Sequence, residues 1–167
     1  MEEKRKKRKL IREVLHMYEG RYIKKISKKV KHLVKEHETR DPQKLAEYLG
    51  IHVVYESYSL YTKGYFIKTL RNKFIIVNDE LDENEKKIVL AHELGHAVLH
   101  SGKPISFIRE YTLFPVGAYE EEANIFAAEL LIDDSDIEEL KYFSVPHIAA
   151  VLGVNEGLVK YKLLKFL

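Results

Sequence analysis

The chain has 167 residues, enough for one compact domain, and 46% of them are apolar, enough to build a real core. It has no cysteine, which excludes disulfides, thiolate metal sites and cysteine nucleophiles and suits a reducing compartment. No window approaches the ~18 apolar residues of a membrane span, and the charged stretch from Met1 to Lys9 leads into no apolar run of the secretory kind, so a cytoplasmic protein is expected.

The net charge of +2 hides an asymmetry. Residues 1–35 carry 14 Lys/Arg against 4 Asp/Glu, a net of +10, and residues 36–167 carry 14 against 22, a net of −8. A basic arm of this kind can touch nucleic acid or an acidic partner. Solvated helix faces account for it more simply, because no base-reading motif accompanies the charge.

Leu10, Ile11, Val14, Leu15 and Tyr18 recur at helical spacing until Gly20, and Tyr22, Ile23, Ile26, Val30, Leu33 and Val34 form a second stripe. Two amphipathic helices are predicted, near 5–19 and 21–37. Asp41-Pro42 opens a short third helix that Gly50 stops. From Ile51 the pattern changes. Ile51 to Tyr55, Tyr61 to Lys68 and Lys73 to Asn78 are rich in β-branched and aromatic residues, with Thr69 to Asn72 as a hairpin turn. A small, mainly antiparallel sheet of about three strands is expected. Asp82 with Glu85 three residues on is a capping-box pattern, so a long helix should run to about His100. Residues 101–118 hold Gly102, Pro104, Pro115 and Gly117 and read as a loop. Helix returns over 120–131, and three short helices follow over 134–140, 146–152 and 155–164. Helices, then strands, then helices make an α+β chain. The expected organisation is basic helices over 1–40, a catalytic core over 41–132 and a helical segment over 133–167.

His92-Glu93-Leu94-Gly95-His96 is an HExxH sequence on the predicted long helix. Residues four apart lie on one helix face, so two imidazoles can converge on one zinc ion. Glu93 is rotated to the neighbouring side, where its carboxylate can activate a water at the metal and later carry its proton. The surrounding Ile88, Val89, Leu90, Ala91, Leu94, Ala97 and Val98 make the helix a buried one, and buried polar groups need partners. His100 cannot complete the site, because ~12 Å of helical rise separates it from His92. Position 102 is Gly102, so the three-histidine metzincin pattern is excluded. Glu120-Glu121-Glu122-Ala123-Asn124-Ile125-Phe126-Ala127-Ala128-Glu129-Leu130-Leu131 offers a carboxylate from a second helix. Three glutamates at a helix N-terminus also have a plain explanation in the helix dipole. Any one of them could make a His/His/Glu set with a fourth position left for water.

The two motifs in tandem, HELGH and then Glu-x-Glu-Ala-Asn-x-Phe-Ala-x-x-Leu-Leu, resemble the ImmA/IrrE family of metallopeptidases over residues 40–132. That resemblance implies a zincin-like fold of gluzincin type and zinc held by His92, His96 and a downstream glutamate. It implies Glu93 as the catalytic base. The gluzincin pattern Glu-x-x-x-Asp/Asn points to Glu120 on the metal and Asn124 behind a ligand histidine, with Glu121 and Glu122 still open. Such proteins come from bacteria, phages and mobile elements. Their expected substrates are repressors with helix-turn-helix DNA-binding domains, whose cleavage relieves repression. The proline usual after the Leu-Leu end is absent, since Leu131-Ile132 runs into Asp133-Asp134.

The stretch from Val145 to Leu163 reads helix, turn at Gly153, helix, and resembles half of a helix-turn-helix, with Lys160, Lys162 and Lys165 as candidate DNA contacts. Val151, Leu152, Val154, Leu158, Val159, Leu163 and Leu164 favour instead a helical pair packed on the core. The alternative to a protease is a zinc-containing binding module that antagonises a repressor or contacts DNA without hydrolysis. Tyr111, Tyr119 and His147 are candidate oxyanion stabilisers that nothing in the sequence singles out.

Overall fold

The computed structural model describes residues 20, 22–59, 62–102 and 116–166. The helix expected near 5–19, Tyr111 and most of the loop expected over 101–118 lie outside the described residues.

Helix α1 covers 22–37 and buries Ile23, Ile26, Val30 and Leu33, the stripe its sequence spacing requires. Helix α2, Pro42–Tyr48, is capped by Asp41, whose carboxylate accepts from the Lys44 N–H at 3.0 Å. It ends at Gly50, whose φ of +66° turns the chain into the sheet.

Three strands follow: β1 Ile51–Glu56, β2 Gly64–Lys68 and β3 Lys73–Asn78, in the order β1-β3-β2. β2 and β3 form the expected hairpin through 69–72, closed by the Thr69 N–H on the Asn72 carbonyl at 2.8 Å. β1 pairs with β3 in parallel, so the sheet is mixed, with one pairing of each kind. The reason lies in β3. Ile75, Ile76, Val77 and Asn78 are all buried, which suits a central strand covered on both faces. The more polar β2 takes an edge.

Helix α3, Glu83–Leu99, starts at Asp82, which accepts from the Glu85 N–H at 2.9 Å. It packs against β2, β3 and α2 on one side and against helix α4, Val116–Leu131, on the other. The C-terminal helices α5 Asp134–Leu140, α6 Val145–Leu152 and α7 Glu156–Leu163 lie close to their expected positions, and a 3₁₀ turn, Leu164–Phe166, ends the described chain. Gly153, at φ +64°, makes the turn between α6 and α7. Ile148, Ala149, Leu158 and Val159 are buried in one cluster with residues as distant as Ile23, so the helical pair packs on the core. No helix among the described residues is long and apolar enough to cross a membrane.

Helix α7 is also tied down by charge. Lys162 is 1% exposed and donates to Glu129 at 3.1 Å and to Asp134 at 2.8 Å. Ser27 of α1 donates to the same Glu129 carboxylate at 2.9 Å, and Lys31 and Lys165 reach Asp134 at 2.7 and 2.6 Å. Four parts of the chain therefore meet at two carboxylates. Burial pushes the Asp134 carboxyl up, but the hydrogen bonds from Lys162, Lys165 and Lys31 outweigh it and hold the group well below its usual range.

Two outcomes are expected from this latch. Lys162→Ala leaves buried Glu129 with only Ser27 and Lys165, the latter at 3.7 Å, and costs up to about 3–5 kcal/mol in urea unfolding, whereas Lys162→Met combined with Glu129→Leu recovers most of that loss. Asp134 has a depressed folded pKa, so its contribution is present above its ordinary value of 3.8 and drains as pH falls below it. The stability gap between the parent and Asp134→Asn therefore closes on acidification. A gap that stays constant into acid would refute the assignment.

Candidate metal centre

The polar face of α3 meets the N-terminal half of α4. Both α3 histidines expected to bind metal reach the same carboxylate. His92 Nε2 lies 3.2 Å and His96 Nε2 3.3 Å from the two oxygens of Glu120, and the two Nε2 atoms are 3.1 Å apart. The donor atoms of His92, His96 and Glu120 all fall within 4.8 Å of one another. Ligand atoms held tetrahedrally at ~2.0–2.1 Å from an ion stand about 3.3 Å apart, so these separations fit a zinc-sized cation. The chemistry of the donors fits as well. His92 Nδ1 lies 2.9 Å from Asn124 Oδ1, an acceptor, so the ring proton sits on Nδ1 and Nε2 presents a lone pair to the site.

Helix geometry explains why Glu120 and not its neighbours takes this place. Successive residues are rotated by ~100°, so the three adjacent glutamates point in different directions and one of them reaches His92 and His96. Glu120 and Asn124, four apart, share that face. Glu121 is exposed, and Glu122 lies 3.5 Å from His100 Nε2. His100 is buried against the edge of Tyr119, at 4.6 Å between ring centres, and stays outside the donor set.

α4 begins at Val116, not at 120. Pro115 and Gly117 read as loop in the sequence, yet a proline immediately before the first turn is well tolerated. The consequence is physical. Glu120 sits a full turn inside the helix, and no acidic residue lies in the first turn, so the dipole explanation for the glutamate run does not apply.

Charge at the site suits a cation. Hydrogen bonding to His92 and then to His96 holds the Glu120 carboxyl well below its usual range. Burial opposes a charge on His92, but Glu120, Glu93 and Asn124 outweigh it and raise its pKa. Glu93 is 9% exposed, and burial pushes its carboxyl up from the usual range. The neighbouring His92 and His96, and the Phe66 N–H that donates to it, offset only part of that shift.

Three features of the site had no legible sequence signal. The first is that Phe66 N–H. The β2–β3 pair is bonded at Lys63 and at Thr69, so alternation turns Phe66 toward the free edge, where Glu93 receives its hydrogen bond. The second is Gly64, where a methyl group would stand 2.5 Å from Val89 Cγ1 and 2.8 Å from the Ile76 carbonyl oxygen. Only glycine lets β2 lie this close to α3. The third is Gly95, where a methyl group would stand 3.1 Å from Ala123 Cα, the Ala123 carbonyl and Phe126 Cβ. Of the other candidates, His147 is exposed and stacks on Phe143 at 4.6 Å, in the C-terminal segment.

Residues 46–164 match the IrrE N-terminal-like domain, a peptidase family, and the chain belongs to that family. An immunity region protein of Bacillus phage phi105 is 38% identical over 135 residues, which cover 80% of this chain and 85% of the phage protein. The metallopeptidase ImmA of Bacillus subtilis (strain 168) is 26% identical over 143 residues, 83% of each chain. A metallopeptidase-like role implies a metal ion and a protein substrate, and the His92/His96/Glu120 cluster is a candidate site for that ion.

Because Gly95 sets the distance between α3 and α4, Gly95→Val should cost about 1–3 kcal/mol through overpacking and lower metal content as Glu120 is pushed from the imidazoles. Thermal unfolding and metal analysis read both effects. A Gly95→Val protein with the parent's unfolding midpoint and metal content would show that this contact does not set the site.

Proposed function

We propose that this member of the IrrE N-terminal-like family is a zinc endopeptidase of the cytoplasm that cleaves a regulatory protein, a helix-turn-helix repressor, and thereby relieves repression. One observation carries the reading: His92, His96 and Glu120 converge while Glu93 stands beside them with its carboxylate outside the donor set. A structural metal site has no use for such a group. The phage relative named for an immunity region and the Bacillus relative named a metallopeptidase are consistent with it.

In this reading His92, His96 and Glu120 hold the ion, and Asn124 fixes the His92 tautomer. Zinc, when bound, supplies Lewis-acid polarisation of water and of the scissile carbonyl. Glu93 takes the proton from the attacking water and passes it to the leaving amine. Its burial suits both steps, because a carboxylate lifted above the ordinary range is a better base and still a competent acid. The β2 edge is the candidate platform for an extended peptide, which can pair with an unpaired strand.

The test begins with metal. About one zinc per chain is expected in the purified parent, with loss in His96→Ala and in Glu120→Ala. Asn124→Ala should keep the stoichiometry and weaken affinity ~10–100-fold. Glu93→Gln should keep zinc and lose cleavage of a co-expressed repressor by ~10²–10⁴-fold. Retained cleavage in Glu93→Gln would remove Glu93 from its role. Derepression that persists in Glu93→Gln without cleavage, or DNA binding that falls steeply with salt, would favour the non-catalytic binding module.

A further inference from the structure

A cavity of 520 Å³ opens beside the metal centre. His92, Glu93 and Asn124 line it on one side, and Leu158 and Tyr161 of α7 line it on the other. Ile88 and Val89 of α3 and Ala127 of α4 complete its apolar surface. We propose that α7 forms the specificity wall of the protease: the cavity takes one apolar side chain of the substrate, next to the scissile bond, and Leu158, Tyr161 and Gly157 set its size. The proposal rests on the peptidase reading above.

Position comes first. The cavity shares His92 and Glu93 with the reactive centre, so a peptide whose scissile carbonyl lies at Glu93 presents a neighbouring side chain to it. Its chemistry selects what enters. Leu158 and Ala127 are buried, Ile88 and Val89 are partly buried, and the cation among the described lining residues, Lys63, pairs with Glu85 at 3.3 Å. An acidic side chain would give up water beside Glu93, a group of like charge. An apolar side chain leaves water on entering, while the peptide backbone keeps to the polar rim.

The wall is rigid. Leu158 and Tyr161 are three apart and share one face of α7. The adjoining face carries Val159 and Lys162, both fully buried, with Lys162 fixed to Glu129 and Asp134. At the other end, the Gly153 turn abuts Asn84 at the start of α3, where an added methyl group would stand 3.3 Å from the Asn84 Oδ1. A wall held at both ends by other elements can measure a side chain.

Gly157 lies at the exposed mouth. A methyl group there would meet only the tip of Asn155, at 3.1 Å, so a larger side chain has room to stand in the opening. Helix propensity favours leucine over glycine, which offsets crowding of the Asn155 Oδ1 that caps the Leu158 N–H at 2.9 Å, so Gly157→Leu narrows the mouth, and thermal unfolding checks that α7 is kept.

The probes are hydroxamates, which chelate an active-site metal without requiring catalysis, bearing hydrogen, isobutyl or benzyl as the adjacent side group. Binding to the zinc-loaded protein is measured by calorimetry for the parent, Gly157→Leu and Tyr161→Ala. The parent is expected to bind the isobutyl or benzyl compound at least about tenfold more tightly than the unsubstituted one. Gly157→Leu should erase that preference and leave the unsubstituted compound unchanged, and Tyr161→Ala should shift the preference toward the larger group. Equal preference in all three proteins would overturn the specificity wall and leave the metal centre standing. Failure of every hydroxamate to bind zinc-loaded parent would overturn both.

Discussion

The site depends on how closely two helices approach. Gly95 sits between His92 and His96 of α3, and its missing side chain is filled by Ala123 and Phe126 of α4, with contacts that a methyl group would bring to 3.1 Å. Residues on either side of this contact, His92 and His96 on one helix and Glu120 and Asn124 on the other, are thereby brought within hydrogen-bonding range. Had the axes been held apart by the usual apolar side chains, Glu120 would not span both imidazoles. Ala123, Phe126, Ala127 and Leu130 are fully buried, so the same packing that stabilises the core also sets the ligand spacing. Stability and metal geometry are therefore one constraint.

A second close approach places Glu93. Gly64 lets the β2 edge lie on Val89, and the Phe66 N–H then reaches Glu93. The start of that strand is pinned from below. Asn78, fully buried at the end of β3, accepts from the Tyr58 and Glu80 N–H groups and donates to the Thr62 carbonyl at 2.9 Å. A buried amide that satisfies its hydrogen-bonding capacity so fully fixes the β1–β2 connection, which fixes β2, which orients the carboxylate. Glu93 is thus positioned by backbone rather than by a side-chain partner.

Local signals in the sequence were legible, and distant ones were not. Asp41, Asp82 and Gly50 mark helix ends through chemistry within four residues, and the structure puts them there. The His92/His96 pair is read from spacing alone. The choice among Glu120, Glu121 and Glu122 needed the rotation of α4 against α3, which the resemblance anticipated and periodicity left open. The parallel pairing of β1 with β3 joins strands with a hairpin arm between them, so no short-range pattern encodes it. Gly64 and Gly95 look like ordinary glycines until the surface each one meets is known. The start of α4 was masked by Pro115 and Gly117, whose loop propensity carried no information about the packing of the helix beyond.

The C-terminal lysines show how tertiary structure redirects a charge pattern. Lys160, Lys162 and Lys165 read as a basic helix face suited to DNA. In the fold, Lys162 points inward to Glu129 and Asp134, Lys165 joins it at Asp134, and Lys160 lies 3.5 Å from Glu156 on its own helix. Lys31, from the basic N-terminal third, is drawn to the same carboxylate. Basic residues from both ends of the chain thus neutralise Glu129 at the end of α4 and Asp134 at the start of α5. Because α4 also carries Glu120 and Asn124, a charge network at its far end holds the helix that supplies one side of the candidate metal site, and it fixes α7 beside the cavity at the same time. Part of the charge asymmetry of the sequence is thus used inside the fold, where Lys31, Lys162 and Lys165 meet Asp134.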